Sequence, residues 1–188
     1  MKEIIKNELK LHNEVSSKME KVVSSIESIA KLAIKSIESN GKVILFGNGG
    51  SAADAQHIAA ELVGRYKINR KGLAALALTT DSSSLTAIGN DFGYEKVFER
   101  QLEALLNNND LVIGISTSGN SSNVINALQY AKSNDVKVVG FSGAQGGRMN
   151  EICDINLVIP SNDTPRIQEM HILVGHTLCH LIDIHFSS

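Results

Sequence analysis

The chain has no tryptophan, two prolines and two cysteines in 188 residues. Cys153 and Cys179 are too few for a disulfide framework, so the fold must rest on an apolar core, and a reducing, cytoplasmic setting is expected. No stretch approaches the roughly 20 apolar residues that cross a bilayer. The opening residues, Met1-Lys-Glu-Ile-Ile-Lys-Asn-Glu8, carry no signal-peptide core. Lysine and arginine form no run, and the formal net charge is −2, which argues against nucleic acid as principal partner. No proline-rich or low-complexity linker interrupts the sequence, and its length suits one well-buried domain over 1–188 rather than two.

Glycine and proline are missing altogether from residues 1–40. Apolar residues recur there at helical spacing: Ile4, Ile5 and Leu9, then Met19, Val22, Val23, Ile26, Ile29, Leu32 and Ala33. Two helices are expected, at about 1–15 and 17–39. Their apolar stripe is wider than a short helix needs, which suits either packing on the home domain or association with another copy. After Asn40-Gly41 the pattern becomes strand and helix in alternation. Strands are predicted at 42–46, 74–78, 111–115, 136–141 and 156–159, and helices at 51–64, 82–89, 95–107, 121–133, 146–150 and 164–186. Near-continuous apolar strands between helices imply an α/β fold, a parallel sheet covered on both faces. Ligands of such sheets bind beyond the carboxyl ends of the strands, where strand order changes direction.

The notable loops fall at those ends, after Phe46, after Leu78 and after Ile115, and two of them carry candidate chemistry. The first, Gly47-Asn-Gly-Gly-Ser-Ala-Ala-Asp-Ala-Gln-His-Ile-Ala-Ala-Glu61, joins a glycine turn to a helix start. Glycines let backbone approach a ligand closely, free N–H groups at a helix start favour anions, and Ser51 with Asp54 resembles a capping box. His57 and Glu61 are spaced i, i+4 and share a face, as a metal or catalytic pair would, or as two polar residues of an exposed helix face. Alanines at 52, 53, 55, 59 and 60 keep that helix slim, so the pair is expected in a crowded place. The second loop is Ser116-Thr-Ser-Gly-Asn-Ser-Ser-Asn123. Its hydroxyls suit phosphate oxygens, although a polar turn with a serine N-cap has the same composition. It lacks the Gly-Lys-Ser/Thr ending of a P-loop, and Gly47-Asn-Gly-Gly is no complete dinucleotide fingerprint. Asn90-Asp91-Phe92-Gly93-Tyr94 reads as a turn-rich loop before a helix. The last predicted helix holds Gln168, His171, His176 and His180. Gln168 and His176 are separated by about 12 Å of helix rise, so they meet one ion only if both lean inward; otherwise the site is assembled between subunits.

Together these segments resemble the sugar isomerase (SIS) domain family and, within it, the phosphoheptose isomerases. The resemblance runs through 47–65, Asn90-Asp-Phe-Gly-Tyr-Glu-Lys-Val-Phe98, Ser116-Thr-Ser-Gly-Asn-Ser121 and Thr164-Pro-Arg-Ile-Gln-Glu-Met-His171 to His176. It implies a three-layer α/β/α sandwich with a five-stranded parallel, flavodoxin-like sheet, preceded by an oligomerising helical segment at 1–40. It also implies a homotetramer with active sites at subunit contacts, and a zinc ion held by His57, Glu61, Gln168 and His176. Substrate contacts would map to Asn48, Gly49, Gly50, Ser51, Glu61, Arg65, Asn90, Asp91, Ser116, Thr117, Ser118, Ser121 and Gln168. Glu61 would act as base and His176 as acid in a ketose–aldose isomerisation through an enediol. The implied substrate is sedoheptulose 7-phosphate, and the product is D-glycero-D-manno-heptose 7-phosphate for lipopolysaccharide or capsule. Rival readings are an isomerase of another sugar phosphate, or a non-catalytic SIS protein that senses sugar phosphates or binds a replication initiator.

Overall fold

The structure, a computed structural model, describes residues 1–187. Two helices, α1 (Lys2–Ser16) and α2 (Val23–Glu38), are separated by a 3-10 turn at Met19–Val22. Helix α2 therefore starts later than the even spacing of apolar residues predicts. The core then alternates β1 (Val43–Gly47), α3 (Gly50–Val63), β2 (Ala75–Ala77), α4 (Ser82–Phe92), α5 (Glu99–Leu105) and β3 (Leu111–Ile115). It continues with α6 (Ser122–Ser133), β4 (Lys137–Gly143), α7 (Met149–Ile152), β5 (Ile155–Ile159) and α8 (Thr164–Phe186).

All strands pair in parallel, in the order β2-β1-β3-β4-β5. The predicted five-stranded parallel sheet is thus present, with the flavodoxin-like order. Its faces separate cleanly by the two-residue period of a strand. Val43 and Leu45 of β1 join α2, α3 and α8 in one apolar layer, whereas Ile44 and Phe46 join α5, α6 and α7 in the other. Gly114 in β3 leaves room for α6, since a Cβ there would stand 2.9 Å from Val124 Cγ1.

Two local expectations change. The segment 90–92 is the last turn of α4 rather than a loop, because Asp81 caps the helix start by accepting from the N–H groups of Ser83 and Ser84 and no residue interrupts it before Gly93 at φ +87°. The predicted helix 95–107 splits into a 3-10 turn at Tyr94–Lys96 and the short α5.

The candidate active site at the switch point of the sheet

From β1 the chain crosses to β2 on one side, and from β3 to β4 on the other, so the order reverses between β1 and β3. These two strands are in register, with Gly47 opposite Ile115. The glycine loop leaves the first and the serine loop the second. Gly49 takes φ +56° and ψ −121°, a conformation that side chains with a Cβ resist, and it caps α3 without any side-chain hydrogen bond. The expected capping box is therefore absent: Ser51 is inside the first turn and buried.

In the serine loop, Ser116 Oγ lies 3.0 Å from Ser121 Oγ and 3.4 Å from Ser118 Oγ. The three hydroxyls point into one cluster, while Thr117 is half-buried with its carbonyl accepting from Gly143 N–H at 3.0 Å. Gly119, at φ +66°, turns the loop tightly against Gly146. The two loops are joined by a residue that sequence reasoning passed over. Asn123, buried at the start of α6, exchanges two 2.9 Å hydrogen bonds with Asn48. Tyr94 adds a third, its hydroxyl donating to Asn48 Oδ1 at 3.1 Å.

The reactive groups come from α3 and α8. Gly175 allows these helices to touch, since a Cβ there would stand 2.5 Å from Ile58 Cδ1. The neighbouring His176 consequently faces His57 and Glu61. One ligand atom from each of the three lies within 4.8 Å of the others. Glu61 Oε1 accepts from His57 Nε2 at 3.1 Å and stands 3.5 Å from His176 Nε2. The histidine rings meet edge to face, with centroids 5.0 Å apart. The triad thus forms within one chain, without help from a second copy. Gln168, one turn from the start of α8, lies instead against Gly50: a Cβ on Gly50 would stand 2.6 Å from Gln168 Nε2.

Electrostatics mark the same place. Glu61 Oε2 is buried without a hydrogen-bond partner. Beside it is the Cys179 thiol, whose pKa is driven up by burial and then by the Glu61 carboxylate; a thiol is a weak donor and poor compensation for a buried carboxylate. Asp54 Oδ2 is also buried and unpartnered, and burial raises the Asp54 pKa against the pull of His57 and His176. Two imidazoles and a carboxylate within mutual reach, next to orphaned carboxylate oxygens, form a donor set suited to zinc. Arg65, Asn90 and Asp91 are exposed; Asn90 donates to Asp91 at 2.7 Å, and none of the three contacts the triad among the described residues. His180 stands apart too, against Tyr66, and His171 is sealed in the core.

Comparison with known proteins agrees with this geometry. The SIS domain family model matches residues 10–143. A phosphoheptose isomerase of Aliarcobacter butzleri is 59% identical over 97% of this chain and 97% of its own length. One from Campylobacter jejuni is 54% identical over 96% of this chain and 97% of its own. The solved phosphoheptose isomerase of Neisseria gonorrhoeae superposes with a TM-score of 0.92 at 42% identity, covering 97% of this chain and 98% of that one. The chain belongs to the SIS domain family and, within it, to the phosphoheptose isomerases.

Proposed function

We infer that this protein is an aldose–ketose isomerase that converts sedoheptulose 7-phosphate into D-glycero-D-manno-heptose 7-phosphate, the entry to activated-heptose synthesis. The observation that carries the reading is the convergence of His57, Glu61 and His176 beside two anion-type loops, in a chain 59% identical to a phosphoheptose isomerase. Relatives at 52–59% identity share that name, which favours an enzyme over the non-catalytic reading.

Isomerisation moves a proton between neighbouring carbons and needs a base and an acid. Glu61 is the proposed base: its carboxylate is mostly buried, with 14% of the side chain exposed, and is steadied by the His57 N–H. His176 is the proposed acid, donating to the carbonyl oxygen as the enediol forms. The hydroxyls of Ser116, Ser118 and Ser121 with Thr117 hold the phosphate, while Asn48, Gly49, Gly50 and Ser51 border the sugar. Arg65, Asn90 and Asp91 are assigned as outer substrate contacts. A zinc ion held by His57, Glu61, Gln168 and His176 would polarise the substrate oxygens as a Lewis acid.

The whole chain acts as one SIS domain in this reading, with 1–40 serving self-association. A homotetramer accords with the family, with the exposed Ile4, Ile5 and Leu9 on α1 and Leu173 on α8, and with the half-open triad, where His57 is 50% and His176 33% exposed. A cytoplasmic setting and a role in lipopolysaccharide or capsule belong to the same proposal; among the described residues no helix is long and apolar enough to cross a membrane. The test is incubation of the zinc-supplemented protein with sedoheptulose 7-phosphate, followed by NMR. Appearance of the aldoheptose signals is expected, and an unchanged ketose overturns the reading.

A further inference from the structure

We infer that Tyr66 is a positioning residue that fixes the plane of the His176 imidazole, and that a buried Arg70–Asp183 knot holds Tyr66 in place. The inference rests on the catalytic role proposed for His176. Among the described residues no hydrogen bond orients His176; besides the approach to Glu61 and the nearby charge of Asp54, its contacts are two rings. One is His57, edge-on. The other is Tyr66, stacked nearly parallel at 15° with centroids 5.3 Å apart. Histidines with such duties usually take their orientation from a hydrogen bond on the second nitrogen. Here an aromatic face occupies that role.

Tyr66 comes from the segment between α3 and β2, which has no secondary structure of its own yet is tightly tied. Its neck is closed where Gly64 N–H donates to Ala60 O at 2.8 Å and Leu73 N–H to Leu62 O at 3.0 Å. Gly72 passes so close that a Cβ would stand 2.6 Å from Val63 O. Inside, Asp183 of α8 accepts from Lys67 N–H at 2.8 Å, Ile68 N–H at 2.9 Å and Arg70 Nε at 2.7 Å. Arg70 then donates to the carbonyls of Leu62, Lys71 and Glu61 at 2.9, 3.0 and 3.1 Å. The side chains of this pair are 1% and 0% exposed.

A buried ion pair adds little net stability over an apolar pair of the same shape, so its value lies in geometry. The rigid guanidinium fork fixes the segment against both helices at once. One end of the knot grips the backbone of Glu61, and the segment's only aromatic ring covers His176. Both proposed catalytic residues are thereby referred to one anchor.

The experiment compares Tyr66→Phe, Tyr66→Leu and Arg70→Lys in the full chain. It uses two readouts: steady-state kinetics with zinc, and the His176 ring-proton shifts without zinc or substrate. Phenylalanine preserves the stack, so its shifts stay at parental values and kcat stays within about twofold. Leucine removes the ring, shifts the His176 signals, and lowers kcat roughly ten- to a hundredfold with KM nearly unchanged. Arg70→Lys should move the same signals; loss of melting temperature alone, with shifts intact, overturns the role given to the knot. Parental shifts and kcat in Tyr66→Leu, or equal losses in Tyr66→Phe, overturn the positioning role; if Arg70→Lys does not fold, Asp183→Asn takes its place with the same readouts, and parental His176 shifts in it overturn the role given to the knot. A parent that moves its His176 signals on Tyr66→Leu yet leaves sedoheptulose 7-phosphate untouched refutes the proposed function and not the positioning.

Discussion

Asn48 and Asn123 exchange two hydrogen bonds of 2.9 Å, each carboxamide serving the other as donor and acceptor. This pair sets the spacing between the glycine loop and the start of α6, and so between the proposed sugar and phosphate subsites. Asn123 Oδ1 also accepts from Val124 N–H at 2.9 Å, which holds the carboxamide to the helix start. Asn123→Asp keeps that last bond and the shape but replaces one donor with an oxygen facing Asn48 Oδ1. A buried pair that loses one bond and gains repulsion costs about 1–3 kcal/mol. We expect KM to rise roughly tenfold, with kcat less affected because the triad is untouched. Kinetics beside thermal unfolding separate the two effects; an unchanged KM means the pair does not set the loop spacing.

Glu61 and His176 should behave as one unit. Glu61→Gln preserves shape but removes the base, and His176→Ala removes the acid. Each is expected to lower kcat by at least about a hundredfold, while circular dichroism and oligomeric state stay unchanged. A chelator should abolish activity, and zinc should restore it in the parent protein more completely than in either variant. Full turnover in either variant removes that residue from the mechanism.

The parts of this architecture that were legible in the sequence are those with local periodicity. Strands β1 and β3 are buried on both faces, so their continuous apolar runs stand out between polar loops. His57 and Glu61 declare themselves because i, i+4 spacing is a helix property. The rest depends on long-range packing, which no period encodes. That His176 joins the pair follows from Gly175 meeting Ile58, a contact between helices far apart in the chain, α3 and α8. In the sequence Asn123 is one more polar residue of the serine loop, and only the fold brings Asn48 beside it. Tyr66 and Arg70 lie in a segment without repeating pattern, and nothing local announces Asp183 as their partner. The capping box is absent for a related reason: Ser51 and Asp54 have the spacing, but Gly49, at positive φ, caps the helix two residues earlier and leaves Ser51 buried inside the first turn.

Gly50→Ala tests Gln168 without altering it. The added methyl would stand 2.6 Å from Gln168 Nε2 and 3.1 Å from its Cδ, so the flexible carboxamide must retreat. Alanine is the better helix former by up to about 1 kcal/mol, and the fold should therefore keep its stability within about that amount. Zinc affinity measured by calorimetry should fall by roughly tenfold if Gln168 completes the site, in line with the loss of supporting contacts around a metal. Unchanged affinity with a displaced glutamine removes Gln168 from the ligand set.

His171 gives the protein an acid-sensitive core. It is fully buried, and its Nε2–H donates to the carbonyl of Ser142 at 3.1 Å while Nδ1 has no partner. Burial holds its pKa down at about 4, against the smaller opposing effect of the Ser142 bond. The folded state therefore binds this proton less readily than the unfolded chain, whose histidine titrates near the ordinary value of about 6.5. Above that value both states are neutral and His171 imposes no pH dependence. As the pH falls from about 6.5 toward about 4, the unfolded state gains the proton first, and stability drops by up to about 1.4 kcal/mol per pH unit from this group. His171→Gln retains a donor for Ser142 and cannot titrate. Denaturant unfolding from pH 7.5 to 5 should show a shallower loss of stability in this variant than in the parent, and parallel slopes would assign the acid sensitivity to other groups.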